Sequence, residues 1–219
     1  MSDHPLIQST HTDDPGPGPA IHDALGGPLG IAESAAPAVV FVIAYSVAGQ
    51  EPTTSAIIAA VVGGLFALAR IARKETVQFA LAGMAGLAIS AFVVSRTGNA
   101  EDFFLPGLLL NGVYAIGYLV SILVRWPLIG LILETAMQKG TDWRQDPAKM
   151  KLYSKVSWIW VVMFSLRLVV QVPLYFADAV AALGVARVAM GVPLFALAIY
   201  LSWLLIRTPP PVTAAPARP

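Results

Sequence analysis

Helix-length apolar blocks, separated by short polar or charged loops, constrain this chain more than any other feature. A helix needs roughly 20 mostly apolar residues to cross about 30 Å of hydrocarbon. Six such blocks can be read, at about 31–47, 54–69, 76–94, 105–124, 156–176 and 184–206. None alternates with the period of two that a membrane barrel strand requires. Helices are the expected solution, because each satisfies its own backbone groups within lipid. Composition agrees. Of 219 residues, 57% are hydrophobic and 12% charged, with a mean hydropathy of +0.70. Soluble domains carry about a quarter charged residues. So few charges cannot cover a water-soluble fold of this size. An ordinary soluble domain, a disordered chain and a nucleic-acid binder are all excluded. The expected fold is all-α, a polytopic membrane helix bundle of about six transmembrane helices.

Three regions follow from the pattern. Residues 1–30 form an acidic tail with Asp3, Asp13, Asp14 and Asp23 and no Lys or Arg, expected to be disordered. It lacks the basic start and apolar core of a secretory signal. Gly26, Gly27, Pro28 and Gly30 read as a flexible hinge. Residues 31–207 are the membrane domain, and 208–219 a Pro- and Ala-rich tail.

Basic residues give the orientation. Arg70, Arg73 and Lys74 follow the second block; Arg125, Lys139, Arg144, Lys149, Lys151 and Lys155 follow the fourth; Arg207 and Arg218 follow the sixth. The opposite side carries Arg96, with Arg187 near the outer end of the sixth block. The positive-inside rule then places both termini in the cytoplasm. Residues 126–138 are apolar but too short to cross, and crossing would move the Lys139–Lys155 cluster outside. They are expected to form a cytoplasmic interfacial or re-entrant helix, with Pro127 in its first turn.

Few residues can carry chemistry. With no cysteine, there are no disulfides, thiolate metal sites or cysteine nucleophiles. His4, His11 and His22 all fall in the tail, so histidine-based zinc sites and Ser-His-Asp triads are excluded from the folded part. There is no phosphate-loop motif and no pair of facing carboxylates within a block. No metal, cofactor or enzymatic activity is expected.

Arg167 stands out, near the middle of the fifth block with Gln171 one turn further on. A cation at that depth is costly and faces a partner or a wet cavity. Its expected partners are Asn111, Ser121 and carbonyls freed near Pro173. In the fourth block Asn111, Tyr114, Tyr118 and Ser121 recur at steps of three and four, so they share one face. That face is expected to meet Arg167, either as a buried hydrogen-bond network or as a binding site for an anionic solute or headgroup. Arg187 is expected to snorkel outward, toward Asp178. In the basic segment Asp142, Arg144 and Asp146, with Lys149, Lys151 and Lys155, could meet a partner or anionic headgroups. Stripes of small residues, Ala59, Gly63 and Ala67 in the second block and Ala82, Gly86 and Ser90 in the third, allow close helix approach. Intramolecular packing is the main expectation and a homo-oligomer interface the other.

Several strings then carry a resemblance. They are Gly26-Gly27 with Glu33-Ser34 and Pro37; Asp102 through Gly107 (DFFLPG) with Asn111; Val124 through Gly130 (VRWPLIG); and Trp143 through Pro147 (WRQDP). The longest runs from Trp158 through Phe164, Arg167-Leu168 and Val170 to Tyr175, followed by Leu183-Gly184 and Met190 through Phe195 (MGVPLF). Together, over residues 24–207, these resemble the actinobacterial integral membrane family known as domain of unknown function 3159. The resemblance implies a multi-spanning plasma-membrane protein and no particular substrate. A looser likeness, in the order of Arg125, Pro127-Leu128-Ile129, a charged segment and a Trp-rich fifth block, is to the bacterial intracellular septation proteins. It implies a non-enzymatic cell-envelope or division-associated role exercised through protein partners. The alternative is a small-solute or lipid transporter with an anion-binding site at Arg167.

Overall fold

The computed structural model describes residues 27–49, 51–73, 77–138 and 140–207, with side chains from residue 35 onward in the first helix and from 83 onward in the third. Most of the N-terminal tail with its three histidines, Lys74, Glu75, Lys139 and the tail from 208 lie outside the described residues. The elements are α1 (Gly27–Val47), α2 (Pro52–Ala72), α3 (Val77–Thr97), α4 (Leu105–Leu123), α5 (Leu128–Ala136), α6 (Pro147–Phe176), α7 (Val180–Ala189) and α8 (Val192–Arg207). Short 3₁₀ turns cover Glu101–Phe103 and Asp142–Gln145. There is no strand among the described residues. α2, α4, α6 and the α7–α8 pair are long and apolar enough to cross a membrane. α1 begins at Gly27 and takes in Pro28 and Gly30, so that part of the expected hinge is helix.

The bundle is inside-out in the way lipid demands. On α2 the bulky residues Ile57, Val61, Leu65 and Leu68 face outward, each at least half exposed. Ser55, Ala56, Ala59, Gly63 and Ala67 are buried against α1 and α3. Lipid tails solvate Leu as well as another helix does, so small residues that admit close backbones decide where helices meet. A Cβ placed on Gly63 would lie 2.1 Å from Leu87 Cδ1 and 3.3 Å from Pro37 Cγ. The expected stripe on α3 is a contact face only in part. Gly86 is exposed with nothing within 4 Å of its Cβ position, Ser90 is buried, and Ala82 lies outside the described side chains. α3 also packs through Leu87, Ala91 and Val94. Their side chains fill the gap that the small residues of α2 leave.

α4, α6 and α8 form a second unit. Ala115, Met163, Phe164 and Ala198 make its core, and Trp160 Nε1 donates to Ser202 Oγ at 3.1 Å. α7 joins the two units by packing on α1 and α6. Gly184 lies so close to α1 that a Cβ would meet Val42 Cγ2 at 2.5 Å. The aromatic rings of Phe41, Phe103 and Phe104 seal that junction, with Phe41 stacked on Phe103 at 3.9 Å between centroids.

α4 ends in a left-handed Arg125 (φ 59°), with the Trp126 amide donating to the Ser121 carbonyl at 2.8 Å. This reversal turns the chain back under the bundle. The nine-residue α5 follows, about 13 Å long, which is too short to cross. Pro127 sits at its N-cap rather than in its first turn. The sixth apolar block is also broken, at Met190–Gly191 between α7 and α8. Pro193 has no N–H to give the carbonyl four residues back, so one continuous helix cannot form without a gap in its ladder.

Candidate intramembrane binding site

A cavity of about 640 Å³ lies between α1, α4, α6 and the α7–α8 corner. Asn111, Tyr114 and Tyr118 line it from α4, Arg167 and Gln171 from α6, and Arg187 from α7. Counting along α6 from Phe176, Gln171 lies about 8 Å and Arg167 about 14 Å into the helix. Both are therefore well inside a 30 Å apolar layer.

Each polar group has spare bonding capacity. Arg167 Nη2 donates to the Gly191 carbonyl at 2.7 Å, across the break between α7 and α8. Its Nε is buried without a partner. The Arg187 guanidinium has no hydrogen-bond acceptor among the described residues; it rests 5.8 Å from the Phe104 ring centre. It also occupies the space over Gly107, where a Cβ would lie 2.6 Å from Nη1. Arg167 and Arg187 line the same cavity. Asn111 Nδ2 donates to the Gly107 carbonyl at 2.9 Å, which leaves its Oδ1 unengaged. Gln171 is 4% exposed and makes no side-chain hydrogen bond among the described residues. No carboxylate is found among the described lining residues. Asp102, buried at the edge of the aromatic seal, is engaged by the Tyr175 hydroxyl and by Asn99 at 3.4 Å.

Five of the six residues expected to gather around Arg167 do so, Arg167 included. Ser121 does not line the cavity. Its hydroxyl donates to the Tyr118 carbonyl at 2.7 Å and accepts from the Leu128 amide at 3.2 Å, which fixes the start of α5. The proposed partners of Arg167 also change. Neither Asn111, Ser121 nor a carbonyl near Pro173 accepts from it; Gly191 does. Arg187 is the residue the sequence undervalued. It makes no ion pair with Asp178 among the described residues; although exposed overall, its head lies over Gly107 and borders both this cavity and a second one. That second cavity, of about 500 Å³, lies between α2, α3 and α4. The available signal was its charge within an apolar block, the same signal that marked Arg167, together with the glycine at 107 one turn before Asn111.

The basic segment is mostly braced on itself. Asp146 caps α6, accepting from the Ala148 and Lys149 amides at 2.8 and 3.4 Å. Arg144 stacks over Trp126 at 3.8 Å. Lys149 pairs with the buried Glu134 of α5 at 3.2 Å, and Tyr153 donates to the same carboxylate at 2.7 Å. Burial, together with that hydrogen bond to a negative acceptor, pushes the Tyr153 phenol up to about 12. A Cβ on Gly130 would strike both Tyr153 and Trp143, so α5 is seated tightly. Asp142, Lys151 and Lys155 remain exposed. No cluster of metal-ligating side chains is found among the described residues.

These features define an α-helical membrane-embedded protein whose bundle encloses a cationic cavity. The family model described as "Protein of unknown function (DUF3159)" matches residues 25–213, and the chain belongs to that family. No curated protein and no solved structure matches it.

Proposed function

We propose that this chain binds an anionic group within the membrane and carries it across, as a transporter of a small anionic solute or lipid. The observation that supports this reading is the pair of guanidiniums on one cavity with no carboxylate among its described lining residues. Two cations on one cavity at that depth in a membrane are costly to hold without an anion. An anion between them would remove that cost and supply acceptors for the Arg187 head and for Arg167. Asn111, Gln171, Tyr114 and Tyr118 would complete the hydrogen bonds, which fits guanidinium recognition of planar or tetrahedral oxyanions. In this reading the basic end faces the cytoplasm, as the distribution of Lys and Arg favours.

The test is thermal unfolding of the purified chain in neutral detergent against inorganic phosphate, sulfate, dodecanoate and dodecyl phosphate. At least one should stabilise the wild-type chain, and none the Arg167→Leu/Arg187→Leu variant. If no anion stabilises the wild-type chain, the reading is wrong. An envelope role through protein partners would draw on exposed residues of the basic segment such as Asp142, Lys151 and Lys155. Pull-downs that survive their replacement by Ala would count against it.

A further inference from the structure

We infer that the ligand of this cavity is a lipid with a phosphate monoester head, taken up sideways from the bilayer between α1 and α4. The inference rests on the anion-binding reading above and narrows it to one class of ligand.

Three observations carry it. The first is where the cavity is closed. One end is bordered by the Arg187 head, which rests 5.8 Å from the Phe104 ring centre. At the other end α5 lies across it, presenting Leu128 and Ile132. Between those ends α1 and α4 have no extended packing among the described residues. The residues flanking this gap, Leu110, Tyr114 and Ile132, are 51%, 46% and 55% exposed, an apolar rim suited to hydrocarbon. A hydrophilic anion would have to cross that hydrocarbon to arrive, at the desolvation cost of a bare charge. An amphiphile arrives with its tail already in the bilayer.

The second is the gradient within the cavity. Arg167, Arg187, Asn111 and Gln171 are grouped toward one end. Toward the other, Trp160, Phe164, Phe195 and Leu128 offer an apolar wall. Along α6 the distance from Gln171 to Trp160 is about 16 Å. That length accepts a head and the first part of a chain, with the remainder leaving through the gap.

The third is charge. The described lining holds two cations and no carboxylate, and at neutral pH a phosphate monoester carries about −1.5 to −2. It therefore balances both, whereas a carboxylate or a phosphodiester leaves one cation uncompensated in a medium where that is expensive. Three terminal oxygens also suffice to meet the Arg187 fork, Arg167 and the Gln171 amide together.

The experiment measures binding to the purified full chain in neutral maltoside detergent, by thermal unfolding and by native mass spectrometry. The probes are dodecyl phosphate, inorganic phosphate and dodecanoate. Dodecyl phosphate should bind at least about tenfold more tightly than either of the others. Arg187→Leu should weaken it by about tenfold or more, the worth of a lost charged hydrogen bond. Gly107→Ala, which leaves both arginines in place but pushes the Arg187 head aside, should weaken it while the unliganded chain stays folded. If inorganic phosphate binds as tightly as dodecyl phosphate, the lipid inference is overturned and the anion-binding reading stands. Tighter binding of dodecanoate overturns the phosphate assignment alone. If none binds, both fall. Dodecyl phosphate binding that is unchanged in both Arg187→Leu and Gly107→Ala places the ligand elsewhere and also overturns the inference.

Discussion

Gly63 and Gly64 are adjacent in α2, yet a methyl group should act on them in opposite ways. At Gly63 the new Cβ would lie 2.1 Å from Leu87 Cδ1 and 3.3 Å from Pro37 Cγ. The Leu87 methyl is the end of a flexible side chain and can rotate, but the Pro37 ring cannot. Overfilling a packed site typically costs about 1–3 kcal/mol. Replacing a mid-helix glycine by alanine returns up to about 1 kcal/mol. At Gly64 nothing lies within 4 Å, so only that gain remains. Subtracting one variant from the other cancels the helix contribution and isolates the contact. Gly63→Ala should therefore be less stable than Gly64→Ala by about 1–3 kcal/mol, a factor of roughly 5 to 150 in the unfolding equilibrium. Reversible unfolding in mixed micelles of rising dodecyl sulfate content, followed by circular dichroism, measures it. Equal midpoints for the two variants would refute the close approach of α2 to α1 and α3.

Other consequences are equally concrete. Tyr153 holds its proton more tightly in the folded chain, at about 12, than an unfolded tyrosine does at about 10. Its contribution is therefore complete below pH ~10 and is lost as pH rises from ~10 toward 12. Proteolysis between α5 and α6 should accelerate over that window in the wild-type chain, and Tyr153→Phe should abolish that pH dependence. Asp146→Ala removes the α6 cap and should cost about 1 kcal/mol, read from the same micelle unfolding. Gly191→Ala would place a Cβ 2.9 Å from the Arg187 carbonyl. It should lower stability and displace the carbonyl that Arg167 holds, whereas Gly86→Ala, with open space around it, should be tolerated. A cysteine at Lys151, the chain having none of its own, should react with an impermeant maleimide only after the inner face is opened. Labelling of intact cells would reverse the proposed orientation.

Much of the architecture was legible in the residues because lipid imposes one strong rule. Every backbone polar group must be satisfied within its own helix, so apolar blocks of about 20 residues translate directly into helices. The short length of 126–138, the proline near its start and the charges beyond it likewise announced a helix that does not cross, found at Leu128–Ala136. Arg167 was legible for the converse reason, since a charge in an apolar block is too costly to be incidental. Periodicity also put Asn111, Tyr114 and Tyr118 on its side of α4.

What the residues could not give was rotation and partner choice. In hydrocarbon the small residues of one helix can be filled by either small or large side chains of the next. The stripe on α2 was thus a true contact face, while the one on α3 was so only in part: Ser90 is buried, Gly86 borders the second cavity, and Leu87 fills the space at Gly63. Ser121 lay in the right register, yet its hydroxyl was recruited to turn the chain into α5. The fate of Arg187 depended on the break at Gly191, on the missing side chain of Gly107 and on the ring of Phe104, three distant positions that only folding assembles. Sequence alone determined that the chain is a helical membrane bundle holding a buried cation, because solvation by lipid acts on each segment separately. Tertiary structure alone decided that a second cation, Arg187, borders the same cavity, because which charges share a cavity is set by contacts between segments.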